Sequence, residues 1–245
     1  MNPAHLLDSF DLSVLTFLTS FSGKSALFDH LVNALSRLDI FKGVALMCLF
    51  WYAWAQPPAK ESSIELEERQ KRLVRVLICT ILLGALSRVL QLVLVVHQRP
   101  VLANLGLHFA IPEFDAGSLN TWNSFPSDHS MFFFALGTGL WAVNRRAGLI
   151  AFIWTIVVID LPRIYLGIHY PSDVIFGALF GFAGMKLCLA LPMKRTERLL
   201  SAWRHAHQGL FLALMFFATD EVGHLLQELR DLAGSTAHVL THTPM

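Results

Sequence analysis

The chain has 245 residues, 54% of them hydrophobic and only 15% charged. Soluble domains carry roughly 25% charged residues, so the deficit points to a bilayer protein. The formal net charge of +1 argues against nucleic acid as a partner, which normally shows as a basic patch or stripe.

The first residues, Met1 to Asp8, hold neither a basic n-region nor a small-residue cleavage site. No cleaved signal peptide is therefore expected, and internal helices direct insertion. A spanning helix needs about 20 mainly apolar residues. Residues 6–35 are apolar but interrupted by Asp11, Lys24 and Asp29. They read as one short span, or as an interfacial helix broken near Ser22-Gly23. Further apolar runs cover 40–55, 73–96, 130–143, 149–164 and 174–191, and flanking residues that snorkel extend the shorter ones. The expected fold is all-α, a polytopic membrane protein with about six membrane-embedded helices.

Residues 57–75 read as a solvated turn entering an exposed helical extension. They carry Lys60, Arg69, Lys71, Arg72 and Arg75; Arg145-Arg146 marks a second turn, and Lys194, Arg195, Arg198 and Arg204 follow the last long run. The positive-inside rule makes these three loops cytoplasmic, so residues 99–127 and the 164–173 connection fall on the outer side. A membrane-embedded domain over 1–194, with its motifs in 73–191, is expected to precede an amphipathic or interfacial tail over 195–245. Within that tail the apolar run 209–218 is too short to span, and an amphipathic stretch, 220–232, follows. Cys48, Cys79 and Cys188 lie in apolar runs at irregular spacing, as small hydrophobes rather than a disulfide or zinc framework.

The outer loops hold the chemistry. Arg163 precedes His169 and Asp173, which are four residues apart around Tyr170-Pro171-Ser172. Pro171 disfavours helix before it, and Ser172 is a suitable N-cap for a helix starting near Asp173. The Asp173 carboxylate is then expected to accept a proton from one ring nitrogen of His169, leaving the other nucleophilic; the rival reading is a structural His–Asp pair at the interface. Upstream, Pro126-Ser127-Asp128-His129 opens the helix at 130–143. Ser127 and the unpaired N–H groups of that first turn make an anion cradle. His129 is placed to give its proton to a leaving oxygen, against the plainer reading of a capping sequence. Arg99 and Arg163 supply charged bidentate donors for phosphate. A metal site at His129, His169 and Asp173 would lack both a recognisable spacing and a fourth ligand, so no metal or cofactor is expected.

These residues resemble the type 2 phosphatidic acid phosphatase superfamily, whose fold is shared with vanadium haloperoxidases. Its signature is Lys-x6-Arg-Pro, Pro-Ser-Gly-His and Ser-Arg-x5-His-x3-Asp. Arg99-Pro100, Pro126-Ser127-Asp128-His129 and Arg163, His169 and Asp173 match it, within 73–191. The resemblance implies an acid-phosphatase-like helical core and metal-independent, two-step hydrolysis. His169 would form a phosphohistidine, His129 would protonate the leaving group, and Arg99, Ser127, Arg163 and the Asp128 backbone N–H would hold the phosphoryl oxygens. Three departures stand out: Leu92 at the lysine position, Pro162 for the third motif's serine, and Asp128 for glycine. Arg88, eleven residues before Arg99, is about 16 Å away if the helix continues, a poor substitute for the lysine. Ser-Phe-Pro-Ser-Asp-His and Gly-Ile-His-Tyr-Pro-x-Asp are similar to the bacitracin-resistance type of undecaprenyl-diphosphate phosphatase. That subgroup acts on the outer face of the bacterial cytoplasmic (inner) membrane, so the implied partners are a lipid phosphate substrate and the bilayer. The alternatives are phosphatidic acid or phosphatidylglycerophosphate as substrate, phosphoryl transfer to another acceptor, or a weakly catalytic lipid-binding protein of the envelope.

Overall fold

The computed structural model describes residues 3–55, 62–94, 97–110 and 123–225. Its regular structure there is helical: α1 (Pro3–Thr19), α2 (Ala26–Arg37), α3 (Ile40–Ala55), α4 (Ser63–Val93), α5 (Asp128–Val143), α6 (Arg145–Tyr165), α7 (Pro171–Ala190), α8 (Lys194–Ala206) and α9 (Gln208–Gly223). A short 3-10 turn, Pro100–Leu102, lies between α4 and α5.

Local chemistry sets most boundaries. Ser62 and Glu65 form a reciprocal capping box that starts α4 ten residues before the apolar run predicted at 73. Asn144 accepts from the N–H groups of Arg146 and Ala147, making the corner between α5 and α6. The expected break near Ser22-Gly23 is present between α1 and α2, where Gly23 adopts φ +76°. Within α6, Pro162 has no N–H to give, and the preceding turn, Thr155–Asp160, widens to π geometry. Leu161 N–H accordingly reaches back to Ile156 O. One cap differs from expectation: α7 begins at Pro171 with Tyr170 as N-cap, because proline is already preorganised for the first helical position.

Helix α5 is the centre of the bundle. It packs on α4, α6 and α7, and its Phe132, Phe133, Leu136 and Leu140 are buried in a core shared with Leu73 and Leu77 of α4 and Met185 of α7. Phe211, Met215 and Val222 of α9 close the same core, so part of the 195–245 region packs onto the bundle. The α5–α7 contact is unusually close. A Cβ on Gly177 would stand 2.5 Å from Ser127 O, and one on Gly181 would collide with Met131 O. This small-xxx-small spacing lets the two backbones touch.

Among the described residues three helices are long and apolar enough to cross a membrane: α4, α6 and α7. The bent pair α2–α3, angled by 73°, would make a fourth. Three or four of the described helices thus pass this test of length and composition, against about six membrane-embedded helices expected. Helix α5 has 16 residues, about 24 Å at 1.5 Å per residue, short of a 30 Å hydrocarbon layer, and neighbouring helices enclose it. Large apolar side chains on the outer faces of α4, α6 and α7, among them Leu82, Val89, Ile153, Leu179 and Leu187, remain exposed and present a surface for lipid.

Candidate active site

Four segments meet at one end of the bundle: residues 97–99 after α4, residues 123–127 leading into α5, the last turn of α6, and residues 166–170 leading into α7. Backbone hydrogen bonds tie them together: Ser124 N to His97 O (2.9 Å), Val101 N to Gly167 O (3.0 Å) and Ser127 N to Asp173 O (3.1 Å). Asn123 Oδ1 accepts from His97 N (2.7 Å) and Phe125 N (3.2 Å), and the Phe125–Pro126 peptide is cis. The opposite end holds the Asn144–Arg146 corner, the start of α4 and the α7–α8 junction, where Ser201 donates to Glu67 (2.7 Å).

His169 is 2% exposed, and its Nδ1 lies 3.0 Å from the carbonyl of Ser124. A carbonyl can only accept, so Nδ1 carries the proton and Nε2 keeps its lone pair. Burial, with the Arg99 charge adding to it, pushes the imidazole below its ordinary value, against the opposing pull of Asp173. The direct Asp173 bond expected from spacing is not the short contact: Asp173 Oδ2 stands 3.8 Å from Nδ1. Instead that oxygen accepts from the Ser124 hydroxyl and from Tyr170 N–H (2.8 Å), while Oδ1 faces His97 Nδ1 at 3.1 Å. The cause is the register of α7. Asp173 sits at the third helical position, where a carboxylate reaches back to the N-cap. Ser124 therefore joins the two, its carbonyl on His169 and its hydroxyl on Asp173.

His97 stacks on Tyr170 with ring centroids 4.5 Å apart. Its hydrogen bond to Asp173 raises its proton affinity against the opposing cost of burial. Ser172 does not cap α7; its N–H (2.8 Å) and hydroxyl both donate to Asp11 of α1. The remaining predicted residues are gathered here too. Arg99 NH1 donates to Ile168 O at 2.8 Å, beside His169; burial draws its proton affinity down, yet a guanidinium remains a cation at neutral pH. Arg163 is buried and reaches Ile159 O (3.4 Å). The Ser127 hydroxyl is fully enclosed and accepts from Ser130 N (3.4 Å); Ser130 Oγ lies 3.0 Å from it and gives its one proton to Asp160 (2.7 Å).

His129 Nδ1 lies 2.9 Å from Asp128 Oδ1, and the other carboxylate oxygen is paired with Arg88 of α4. Arg88 thus reaches the second motif after all. Helix α4 ends at Val93, so rise along its axis does not measure the distance to the site. Leu92, at the lysine position, is 71% exposed on the outer face. A cation that motif spacing could not reveal is Lys42. It opens α3, pairs with Asp39 at 2.7 Å, and its charge acts on Arg163, Asp128 and His129. Among the described residues no three His, Cys, Asp or Glu side chains are grouped to hold a metal ion.

Such a set can do phosphoryl chemistry: a neutral buried imidazole, a second imidazole on a carboxylate, and several cations around them. Comparison with known proteins finds the following likenesses. Residues 94–197 match the model of the PAP2 superfamily. The bacitracin transport permease protein BcrC of Bacillus licheniformis is 39% identical over 61 residues, 24% of this chain and 29% of its own length. YbjG of Escherichia coli (strain K12), provisionally named an undecaprenyl-diphosphatase, is 35% identical over 117 residues, 44% of this chain and 53% of its own. The chain thus spans about half the length, or less, of these relatives. The crystal structure of Aquifex aeolicus LpxE superposes with a TM-score of 0.49 at 20% identity, covering 74% of this chain and 94% of that one.

Proposed function

Starting from a PAP2-superfamily domain over residues 94–197, we propose that the protein is an integral membrane lipid phosphatase. The substrate favoured is undecaprenyl diphosphate, cleaved to undecaprenyl phosphate. The observation that carries the reading is the buried His169, whose Nδ1–H is held by the Ser124 carbonyl so that Nε2 keeps its lone pair. Nε2 attacks the terminal phosphorus, the bond to the bridging oxygen breaks, and that oxygen takes the proton of His129 as undecaprenyl phosphate departs. Water then attacks the phosphohistidine, giving up a proton to His129; the N–P bond breaks and inorganic phosphate leaves. Arg99, Arg163, Lys42 and the N–H groups at the start of α5 neutralise the charge that develops on the phosphoryl oxygens.

The substrate class is supported by the likeness to YbjG and by the resemblance of the PSDH and HYPxD surroundings to the bacitracin-resistance type of phosphatase. Location follows from charge. The basic N-terminal part of α4 (Arg69–Arg75) and the Arg145-Arg146 corner belong to the end away from the site, which under the positive-inside rule supports a site on the extracytoplasmic face of the bacterial inner membrane. Purified protein in detergent, given undecaprenyl diphosphate and a chelator, should release phosphate. His169→Ala should abolish release, and wild type quenched in alkaline detergent, where an N–P bond survives, should carry label from the terminal phosphate. Phosphatidic acid, phosphatidylglycerophosphate and phosphoryl acceptors other than water are the comparison arms. Full turnover by His169→Ala would sink the mechanism, and no release from any lipid phosphate would sink the function.

A further inference from the structure

His129 has a carboxylate of its own, separate from the groups that hold His169. Asp128 Oδ1 takes both the ring Nδ1 (2.9 Å) and the backbone N–H of His129 (2.9 Å). Asp128 Oδ2 is paired with Arg88 across the α4–α5 contact. Arg88 in turn donates to Gln91 Oε1 (3.1 Å), and the Gln91 amide donates to the carbonyl of Pro126 (2.9 Å), the first residue of the motif. Each oxygen of the carboxylate therefore has a defined partner, and the ring's Nε2 is left for substrate. We infer that Asp128 and Arg88 form a positioning pair for His129, in which Asp128 holds the ring and its proton and Arg88 limits how strongly.

The surroundings explain why such a pair is useful. Cations that grip a phosphate also repel a proton on a nearby imidazole. Burial first, then Arg163 of α6 and Lys42 of α3, push the proton affinity of His129 well below its ordinary value, and Arg88 of α4 stands behind Asp128. Against them stand Asp128 on the same helix, Asp39 paired with Lys42, and Asp160 beside Arg163. His169 and Arg99 lie within electrostatic range of Asp128 as well. A glycine at 128 would leave the imidazolium facing those cations without a direct counter-charge. Asp128 thus offsets part of that push and holds the proton on His129 for transfer, with Arg88 drawing on the same carboxylate so that the proton is not held too tightly.

The inference rests on His129 acting as proton donor, so its test is read in two ways. The first uses no substrate: ¹⁵N-histidine NMR of the full chain in detergent micelles, with the His129 resonance identified by His129→Gln. In Asp128→Asn, whose amide oxygen can still accept from Nδ1, His129 should release its proton about one pH unit or more lower than in wild type. In Arg88→Gln, which leaves the Asp128–His129 bond in place, it should release the proton at higher pH. The second readout is turnover. The alkaline limb of kcat/KM should move in the same opposite directions in the two variants. Loss in Asp128→Asn should be larger with an alkyl phosphate than with p-nitrophenyl phosphate, whose leaving group needs no proton. Unmoved His129 titration in folded Asp128→Asn and Arg88→Gln, with wild-type turnover intact, overturns this inference alone. If wild type releases no phosphate at all, the proposed function fails, while the titration still reports whether Asp128 and Arg88 act on His129.

Discussion

The contact of Gly177 with Ser127 offers a direct test of how backbone packing sets the chemistry. In Gly177→Ala the new Cβ would lie 2.5 Å from Ser127 O and 3.1 Å from Ser130 Cβ, whereas ordinary contacts begin near 3.4 Å. Helices α5 and α7 must therefore part by about 0.9 Å at this point. Overpacking of this kind costs about 1–3 kcal/mol of stability. The larger effect should be on activity. Gly177 lies one turn beyond Asp173, and Ser127 is the cap immediately before Asp128 and His129, so the shift separates the His169 side of the site from the His129 side. A misplacement of about 1 Å can cost on the order of 10²-fold in rate. Phosphate release from a lipid phosphate in micelles should fall by one to two orders of magnitude while circular dichroism reports an intact helical fold. Gly209→Ala is the control, since nothing lies within 4 Å of a Cβ there, and it should behave as wild type. Folded Gly177→Ala with turnover within twofold of wild type would refute the reasoning.

Protonation of His169 should set the acid limb of turnover, and because burial lowers its proton affinity the half-loss point should fall below about pH 6.5; a midpoint above that value would contradict the assignment. The same burial means that the unfolded chain binds this proton more readily, so His169 should subtract from stability as pH falls below about 6.5, measurable as a declining Tm in detergent that His169→Gln flattens. Asp11→Ala strips both acceptors from Ser172 N–H and Oγ–H. It should cost on the order of 2–4 kcal/mol in denaturant or thermal unfolding, and a change under 0.5 kcal/mol would show that water replaces the carboxylate. Leu92→Lys should leave kcat/KM within about twofold, because an outward-facing ammonium near the helix end snorkels into the interface; a large gain in phosphate release would place the side chain in the clamp instead.

The sequence by itself was enough for the residue types and their local placement. Apolar runs near helical length, Ser127 before an apolar helix and Pro171 before another are short-range signals, because helix initiation depends on groups within one turn. Motif spacing likewise picked out His129, His169, Arg99 and Arg163, and all four side chains lie at the same end of the bundle. What tertiary structure decided is who holds whom. Asp173 is shared among Ser124, His97 and the N-cap of α7, not given to His169 alone. Asp128 faces Arg88 forty residues away, and Lys42 enters from a helix that carries no motif at all. The surroundings of α5 were also decided in three dimensions: it reads as a span by hydropathy, yet it is short and enclosed by its neighbours. Partners of this kind are set by which helix faces meet. Helix contact depends on small residues such as Gly177 and Gly181 that allow close approach, and a one-dimensional pattern does not say which partner they will approach.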